Sequence, residues 1–223
     1  MQKTAYCIQM LDMEVAGGYL LQENSYCSRN IMPTLRLVAS FRLGHSFRSR
    51  IDSRTDGAVA VIQMRDVPDA GVVNSDTLAR ISGAEVSRAE PVRPGDIVVT
   101  TRGEVARAAI VPSGLGSAIV AAPLLRIRVT SPDVMPAYLV WYLNGAKAQA
   151  ELGRTAEGSN VKMIGRAALE ALDVELPSIE RQCAIVELAG HVARERLLQD
   201  QLQARRNQLL SHVMMHFAEG GTR

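Results

Sequence analysis

The C-terminal sequence from Ile179 to Phe217 reads IERQCAIVELAGHVARERLLQDQLQARRNQLLSHVMMHF, with no proline and with Gly190 as its only glycine, which indicates one long helix. Its apolar residues recur at about heptad spacing, as in a coiled coil. They are Ile185, Leu188, Val192, Leu198, Leu202, Leu209 and Val213. Such a helix is about 55 Å long, whereas a domain of about 150 residues has a radius of gyration of about 15 Å. One apolar stripe is therefore expected to stay exposed and to bind another chain.

The residues before this helix mix strand and helix patterns, which predicts an α+β fold with a mixed sheet. Strands are predicted at 58–64, 97–101, 108–111 and, as one or two strands, 119–129. Helices are predicted at 136–152 and 165–172, and the polar stretch 75–89 is predicted to be loop or loose helix.

The domain organisation follows from these patterns. A globular domain is predicted at 32–178, and the long helix at 179–217. Residues 1–31 are weakly patterned and are predicted to be a tail, with Met32 as a plausible alternative start. A second short tail is predicted at 218–223.

Length and composition narrow the functional classes. The 223 residues are 47% hydrophobic and 22% charged, which excludes collagen-like, low-complexity and wholly disordered chains. No apolar run is long enough for a membrane span, and no secretory signal is expected. The three cysteines form no C-x-x-C motif, so we expect reduced thiols and a cytoplasmic location.

Basic residues are unevenly distributed although the net charge is only +2. From Arg36 to Arg54 five arginines accompany a single acid, Asp52, and arginine is the side chain best shaped for phosphate and guanine. A GC-rich coding sequence explains much of the general preference for arginine over lysine. The local excess is thus interpreted either as a nucleic-acid contact or as an ordinary solvated face.

The sequence holds no recognisable catalytic constellation. It lacks a G-x-S-x-G motif and a P-loop. The glycine-rich stretch 114–117 carries only half of a dinucleotide-binding fingerprint and is predicted to be a hairpin connection. His212 and His216 stand four residues apart without a further histidine or cysteine nearby, so neither a metal site nor a catalytic residue is expected.

Three groups of residues stand out by their order and spacing. They are SFRSR at 46–50 with VIQMRDV at 61–67, RPGDIVVTTRG at 93–103 with RAAIV at 107–111, and LDVELPSIERQ at 172–182. The predicted helix between the second and third groups contains Tyr138-Leu139 and Tyr142-Leu143. With these motifs, roughly residues 35 to 217 resemble the specificity (S) subunits of type I restriction-modification systems.

The resemblance implies a non-catalytic subunit with a DNA target-recognition domain and a spacer helix. Such a subunit directs a methyltransferase (M) subunit, and in some complexes a restriction (R) subunit, to a bipartite site in double-stranded DNA. S-adenosylmethionine and ATP with Mg²⁺ belong to those partners, so no cofactor is expected on this chain. The usual subunit has two recognition domains and two antiparallel helices, whereas this chain has one of each. We therefore expect a half-subunit that forms a homodimer through its helix, with an orphan product or pairing with another S chain as alternatives.

Phosphate contacts are predicted for the basic cluster before the first strand motif. The cluster consists of Arg42, Arg48, Arg50 and Arg54. Cations of this kind supply the salt-dependent part of DNA affinity. The alternative is a solvated face with no ligand.

Base contacts are predicted for Arg65 and Arg102, because each follows a predicted strand and because arginine bidentate to guanine is the commonest specific contact. The alternative is that each arginine only pairs with its acidic neighbour, Asp66 or Glu104. A further loop resembles one that faces DNA in the family, although it could also be a plain connection. Its predicted DNA-binding residues are Ser159, Asn160 and Lys162.

Two other functional classes were weighed against DNA recognition. An enzyme, such as a methyltransferase fragment or a nuclease, is disfavoured because no acid, base or nucleophile set is present. A coiled-coil regulatory protein that binds a full-length S subunit needs only the helix. DNA binding that weakens with salt distinguishes the recognition subunit from such a regulator. The recognised base sequence cannot be derived from side-chain identities.

Overall fold

The computed structural model describes residues 32–48, 50–53, 57–68, 71–86, 89–103, 105–155 and 163–218. The chain divides into two compact units. Ser28–Val186 form the globular unit, and the chain from Glu187 onward belongs to the second unit. The first residues of the C-terminal helix therefore belong to the globular unit.

The larger sheet of the globular unit has four antiparallel strands. Their order across the sheet is β1 (Ala39–Leu43), β7 (Leu124–Val129), β4 (Ile97–Thr100) and β5 (Ala108–Ile110). Every residue of β4 and β5 is buried. Burial on both faces explains why these strands are continuous apolar runs in the sequence.

A smaller, mixed sheet packs beside the first. Its order is β3 (Ala79–Ile81), β2 (Val59–Ile62) and β6 (Ala118–Val120), with β2 antiparallel to β3 and parallel to β6. One core cluster contains side chains from both sheets, including Ile62 of β2, Val98 of β4 and Leu124 of β7. The two sheets therefore share a hydrophobic core.

Five α-helices complete the described part of the chain. They are α1 (Leu35–Val38), α2 (Pro136–Asn144), α3 (Ala146–Thr155), α4 (Arg166–Ala171) and α5 (Ile179–Ala218). Short 3₁₀ turns occur at Met64–Asp66, Ser75–Thr77 and Gly83–Val86. None of the helices in the described residues combines the length and the apolar character that crossing a bilayer requires.

The predicted α+β fold with a long C-terminal helix is confirmed. The strand β3 was missed, because it is only three residues long and lies in the polar stretch predicted to be loop or loose helix. The prediction of a hairpin at 114–117 was wrong. This stretch connects β5 of the larger sheet with β6 of the smaller one, so the chain changes sheets there.

The prediction of one helix at 136–152 was also wrong, because the chain leaves the helical conformation at Gly145, where ψ is 153°. After the break, the amide of Asn144 reaches the edge strand β5 and the amide of Gln149 reaches Ala106, two residues before that strand. The N–H of Ala108 donates to Asn144 Oδ1 at 2.9 Å, and Asn144 Nδ2 donates to the carbonyl of Ala108 at 2.9 Å. The N–H of Ala106 donates to Gln149 Oε1 at 3.1 Å, and Gln149 Nε2 donates to the carbonyl of Ala106 at 2.7 Å. These contacts satisfy backbone groups that an edge strand would otherwise leave unpaired.

Gln182 holds the start of α5 within the globular unit. Its side chain is fully buried. Its Oε1 accepts a hydrogen bond from the N–H of Met135 at 2.9 Å, and its Nε2 donates to the carbonyls of Asp133 at 2.7 Å and Pro177 at 2.9 Å. The glutamine of the LPSIERQ segment is therefore a structural anchor.

Candidate nucleic-acid interface

An open cleft of about 390 Å³ lies beside the connection between β1 and β2. Its lining residues are Ser46, Phe47, Arg50, Ile51, Gln63 and Ala122. Arg50 supplies a cation suited to phosphate or base edges, and Gln63 also lines the cleft, with its Nε2 buried. The cleft brings residues of the SFRSR segment next to the first residue after β2.

Backbone contacts fix the point at which the basic segment begins. The N–H of Gly44 donates to the carbonyl of Leu124 at 2.9 Å, and the N–H of His45 donates to the carbonyl of Val120 at 2.7 Å. A Cβ on Gly44 would lie 2.5 Å from the carbonyl carbon of Ala121. Only glycine permits so close an approach of two backbones.

Arg48 and Arg50 follow this fixed point, and both are exposed. Within the part of the chain that the structure describes, neither arginine forms an ion pair, so both guanidinium groups can accept an external anion. Arg54, the fourth member of the predicted phosphate-binding cluster, lies outside the described residues.

Arg42 differs from these arginines because it joins an ion-pair network on the larger sheet. Glu90 pairs with Arg42 at 3.3 Å, with Arg126 at 2.8 Å and with Arg128 at 3.4 Å. Asp96 accepts two further bonds from Arg128, at 2.6 and 2.7 Å. Three cations therefore surround two carboxylates.

The network compensates a repulsion that the sheet register creates. Arg42 of β1 lies directly opposite Arg126 of β7, and like charges in that position destabilise a sheet. Glu90 relieves this repulsion, and its pKa is lowered, first by the hydrogen bond from Arg126. The Arg42 side chain is still 70% exposed, so a phosphate would compete with Glu90 for it.

Arg65 lies in the 3₁₀ turn directly after β2. Its Nε is 3.7 Å from Oδ1 of the buried Asp66, and its side chain is 63% exposed. Asp66 also accepts bonds from the N–H of Gln63 at 2.9 Å and from the Thr77 hydroxyl at 3.3 Å, while burial raises its pKa. The weak pairing with Asp66 leaves most of the Arg65 guanidinium accessible.

Arg102 follows β4 and forms an antiparallel bridge with Met163. The N–H of Ile164 donates to the carbonyl of Thr101 at 2.9 Å, and Gly103 has a positive φ of 120°, a backbone conformation that favours glycine. The exposed Arg102 therefore lies beside the residue that follows Lys162 in the chain. Ser159, Asn160 and Lys162 themselves lie outside the described residues, as does Glu104.

Short stretches of chain and one hydrogen bond link Arg50, Arg65 and Arg102 to the cleft. Arg50 and Gln63 line one cleft, and Gln63 precedes Arg65 by two residues. Ala122 of the same cleft precedes Pro123, whose carbonyl accepts a hydrogen bond from the hydroxyl of Thr101. Sequence analysis missed Gln63, although a polar residue directly after a buried strand was a usable signal. Its Nε2 is buried without a hydrogen-bond partner.

The apolar stripe of α5 is accessible. Ile185 is half-buried, while Leu188 and every described residue from His191 onward are exposed. The exposed members of the predicted stripe are Leu188, Val192, Leu198, Leu202, Leu209 and Val213. Leu202 and Leu209 expose 60% and 64% of their surface, and large apolar side chains that are exposed in a row mark an interaction site.

The described residues offer no cluster of metal ligands. They contain no group of three or more His, Cys, Asp and Glu side chains that could hold a metal ion. His212 and His216 are both exposed on α5.

Comparison with known proteins identifies the fold. No family model matches the chain, and no curated protein matches it. Solved structures do match. One is a chain from structures that describe complex assembly and conformational transition of the type I R-M system. It has 18% sequence identity and a TM-score of 0.65, and the match covers 95% of the present chain. The HsdS subunit from Thermoanaerobacter tengcongensis gives 16% identity and a TM-score of 0.60 over 96% of this chain.

A third match is the type I restriction-modification S subunit from M. genitalium, with 16% identity and a TM-score of 0.51 over 79% of this chain. The present chain spans only part of each neighbour: 50% of the first two chains and 42% of the third. The fold is therefore that of about half of a type I restriction-modification S subunit, as the sequence motifs indicated.

Proposed function

We propose that this chain is a non-catalytic, sequence-specific DNA-recognition subunit of a type I restriction-modification system. The observation that carries the proposal is the fold shared with S subunits. The exposed arginines of the globular unit and the exposed stripe of α5 support it, because the arginines offer cations suited to a polyanion and the stripe offers apolar side chains suited to a protein.

Salt-dependent binding to duplex DNA tests the first surface. We expect the full chain to bind with an affinity that falls linearly on a logarithmic scale of salt concentration. The variant R48A/R50A should bind more weakly, and its salt slope should be shallower by about one unit for each lost phosphate contact. R166A is the matched control, since the exposed Arg166 already pairs with Glu170 at 2.6 Å. Equal slopes for all three proteins would refute this interface.

Arg65 and Arg102 are proposed to read bases. Unlike a phosphate contact, a lost base contact relaxes the preference at one position of the target while binding to unrelated duplexes hardly changes. Each alanine variant should reduce discrimination at its position by about 1–3 kcal/mol, measured by competition with single-base variants of the selected target. Uniform weakening on all duplexes would make these residues phosphate contacts.

The stripe of α5 is proposed to join two copies of the chain into a dimer that reads a bipartite target. The variant L202D/L209D should be monomeric in sedimentation experiments while the globular unit stays folded. L197D is the matched control, because Leu197 is 41% exposed but lies off the heptad positions. A double variant that still dimerises with wild-type affinity would exclude the stripe. A protein that pairs through the stripe yet shows no salt-dependent DNA binding would instead be the regulatory coiled-coil protein.

The M subunit, and where present an R subunit, are the further proposed partners. S-adenosylmethionine and ATP with Mg²⁺ would be bound by those subunits, so the isolated chain should not methylate DNA. Exposed apolar residues off the stripe offer a second contact surface on α5, namely Leu197, Met214 and Met215. Methylation of DNA by the purified chain alone would contradict the non-catalytic role.

A further inference from the structure

The seam of α5 contains charged residues at its centre. Steps of three and four residues from Ile185 define ten seam positions. They are Ile185, Leu188, Val192, Glu195, Gln199, Leu202, Arg206, Leu209, Val213 and His216. The outer positions are mostly apolar, whereas Glu195, Gln199 and Arg206 interrupt the middle. All seam positions from Leu188 onward are exposed.

Arg206 has no acidic neighbour on its own helix. Side chains meet along a helix at separations of three and four residues. For Arg206 these neighbours are Leu202, Gln203, Leu209 and Leu210. Within the described residues Arg206 forms no ion pair. An acidic partner for this seam cation therefore has to come from another helix.

Glu195 likewise has no arginine or lysine three or four residues away on its own helix. Its neighbours at three and four residues are His191, Val192, Leu198 and Gln199. Gln199 Nε2 donates to Glu195 Oε1 at 3.2 Å, while His191 lies 3.9 Å from Glu187. None of these four neighbours is an arginine or a lysine.

Two antiparallel copies of α5 can satisfy both charges at once. When the twofold axis passes between Asp200 and Gln201, each seam position meets a seam position of the other copy. The opposed pairs are Ile185 with His216, Leu188 with Val213, Val192 with Leu209, Glu195 with Arg206, and Gln199 with Leu202. Opposite charges then meet twice, and the apolar pairs Leu188 with Val213 and Val192 with Leu209 lie on the outer side of each ion pair.

Other arrangements leave charges unpaired in the seam. A parallel pair in register opposes Glu195 with Glu195 and Arg206 with Arg206. An antiparallel pair shifted by one heptad opposes Arg206 with Leu188 or Leu202. Burying an unpaired charge is strongly unfavourable, and a polar seam residue is a well-attested device for fixing register.

We propose that Glu195 and Arg206 of two copies form two symmetry-related ion pairs that fix an antiparallel register centred between Asp200 and Gln201. The inference rests on the proposed self-pairing through α5 and names the residues that decide its direction and register. At 1.5 Å per residue, the two Ile185 positions would lie about 46 Å apart along the helices.

Charge reversal in the full chain tests the ion pairs. E195R and R206E should each raise the dimer dissociation constant by about tenfold or more, because each replaces two attractive pairs with two repulsive ones. The double variant E195R/R206E restores opposite charges and should return to within about threefold of wild type. R194E is the control, because Arg194 neighbours Glu195 in sequence but lies off the seam. Single reversals without effect, or a double variant as weak as the singles, would overturn the pairing.

Cysteine cross-linking tests the direction and register independently. Starting from C7S/C27S/C183S, a mixture of L188C and V213C chains should form the mixed disulfide, while L188C alone should not cross-link. A dimer in which L188C links to itself would refute the antiparallel register and leave the proposed dimer intact. A monomeric wild-type chain would refute the self-pairing as well. None of these outcomes bears on DNA binding, which the salt-dependence experiment tests separately.

Discussion

Gln182 shows how one side chain anchors the first turn of the long helix in the globular unit. Removing its amide leaves the N–H of Met135 and the carbonyls of Asp133 and Pro177 without their buried partner. We expect Q182A to lower the free energy of unfolding of the globular unit by about 3 kcal/mol. Urea unfolding followed by the fluorescence of the single tryptophan, Trp141, reports on this unit. Q208A, on the exposed part of α5, should change the value by less than about 0.5 kcal/mol, and equal effects of the two substitutions would disprove the anchor.

Glu90 is a second single residue that affects stability, and its contribution to the free energy of unfolding depends on pH. Its pKa in the folded chain lies below the ordinary value of 4.5, first because Arg126 donates a hydrogen bond to it. A depressed carboxyl pKa stabilises the fold above the unfolded-state pKa, and this stability is lost as the pH falls from about 5 towards 3. The urea midpoint of E90Q should therefore depend less on pH in this interval than that of wild type. E170Q removes the exposed partner of Arg166 and is the control; an unchanged pH slope in E90Q would contradict the role of Glu90.

At the scale of elements, the edge strand β5 depends on amides from the helical segment that follows the sheets. N144A should cost about 2 kcal/mol of unfolding free energy, because the N–H and carbonyl of the buried Ala108 both lose their partner. Chemical denaturation measures this loss, and light scattering on warming should detect aggregation through the exposed edge. N207A is the control, since the exposed Asn207 accepts a hydrogen bond from Gln203 Nε2 at 3.1 Å and lies on α5, away from the sheets in sequence. A stability loss no larger than that of N207A would show that the edge does not depend on Asn144.

The elements that the sequence predicted correctly are those whose cause is local. A continuous apolar run predicts β4, and a long proline-free stretch with apolar residues at about heptad spacing predicts α5. The break at Gly145 depends on a contact between Asn144 and a strand 36 residues away in sequence, and no local pattern reports such a contact. The same holds for the stretch 114–117, whose change of sheet depends on the parallel pairing of β2 and β6.

The candidate site was predictable to a smaller extent. Sequence position placed Arg65 and Arg102 directly after strands; the structure has Arg65 three residues past β2, in a 3₁₀ turn, and Arg102 two residues past β4. It could not show that Arg42 is drawn into pairing with Glu90, because the register of β1 against β7 creates that network. Nor could it assemble the cleft, whose lining comes from three separate parts of the chain.

At the scale of the whole molecule, the proposed DNA-binding surface belongs to the same chain as the helix that is proposed to pair two copies. A twofold axis across an antiparallel pair of α5 helices relates the two globular units by symmetry. Identical units related in this way read identical half-sites in inverted orientation. The target is therefore expected to be a bipartite inverted repeat.

Methylome sequencing of the source cells with and without this chain tests the central claim most directly. The account predicts a methylated, bipartite inverted repeat that disappears when the chain is deleted. The repeat should return with the wild-type chain, whereas R65A/R102A should fail to restore it or should relax its sequence. Identical methylation patterns in the presence and absence of the chain would contradict the claim that it specifies a DNA target.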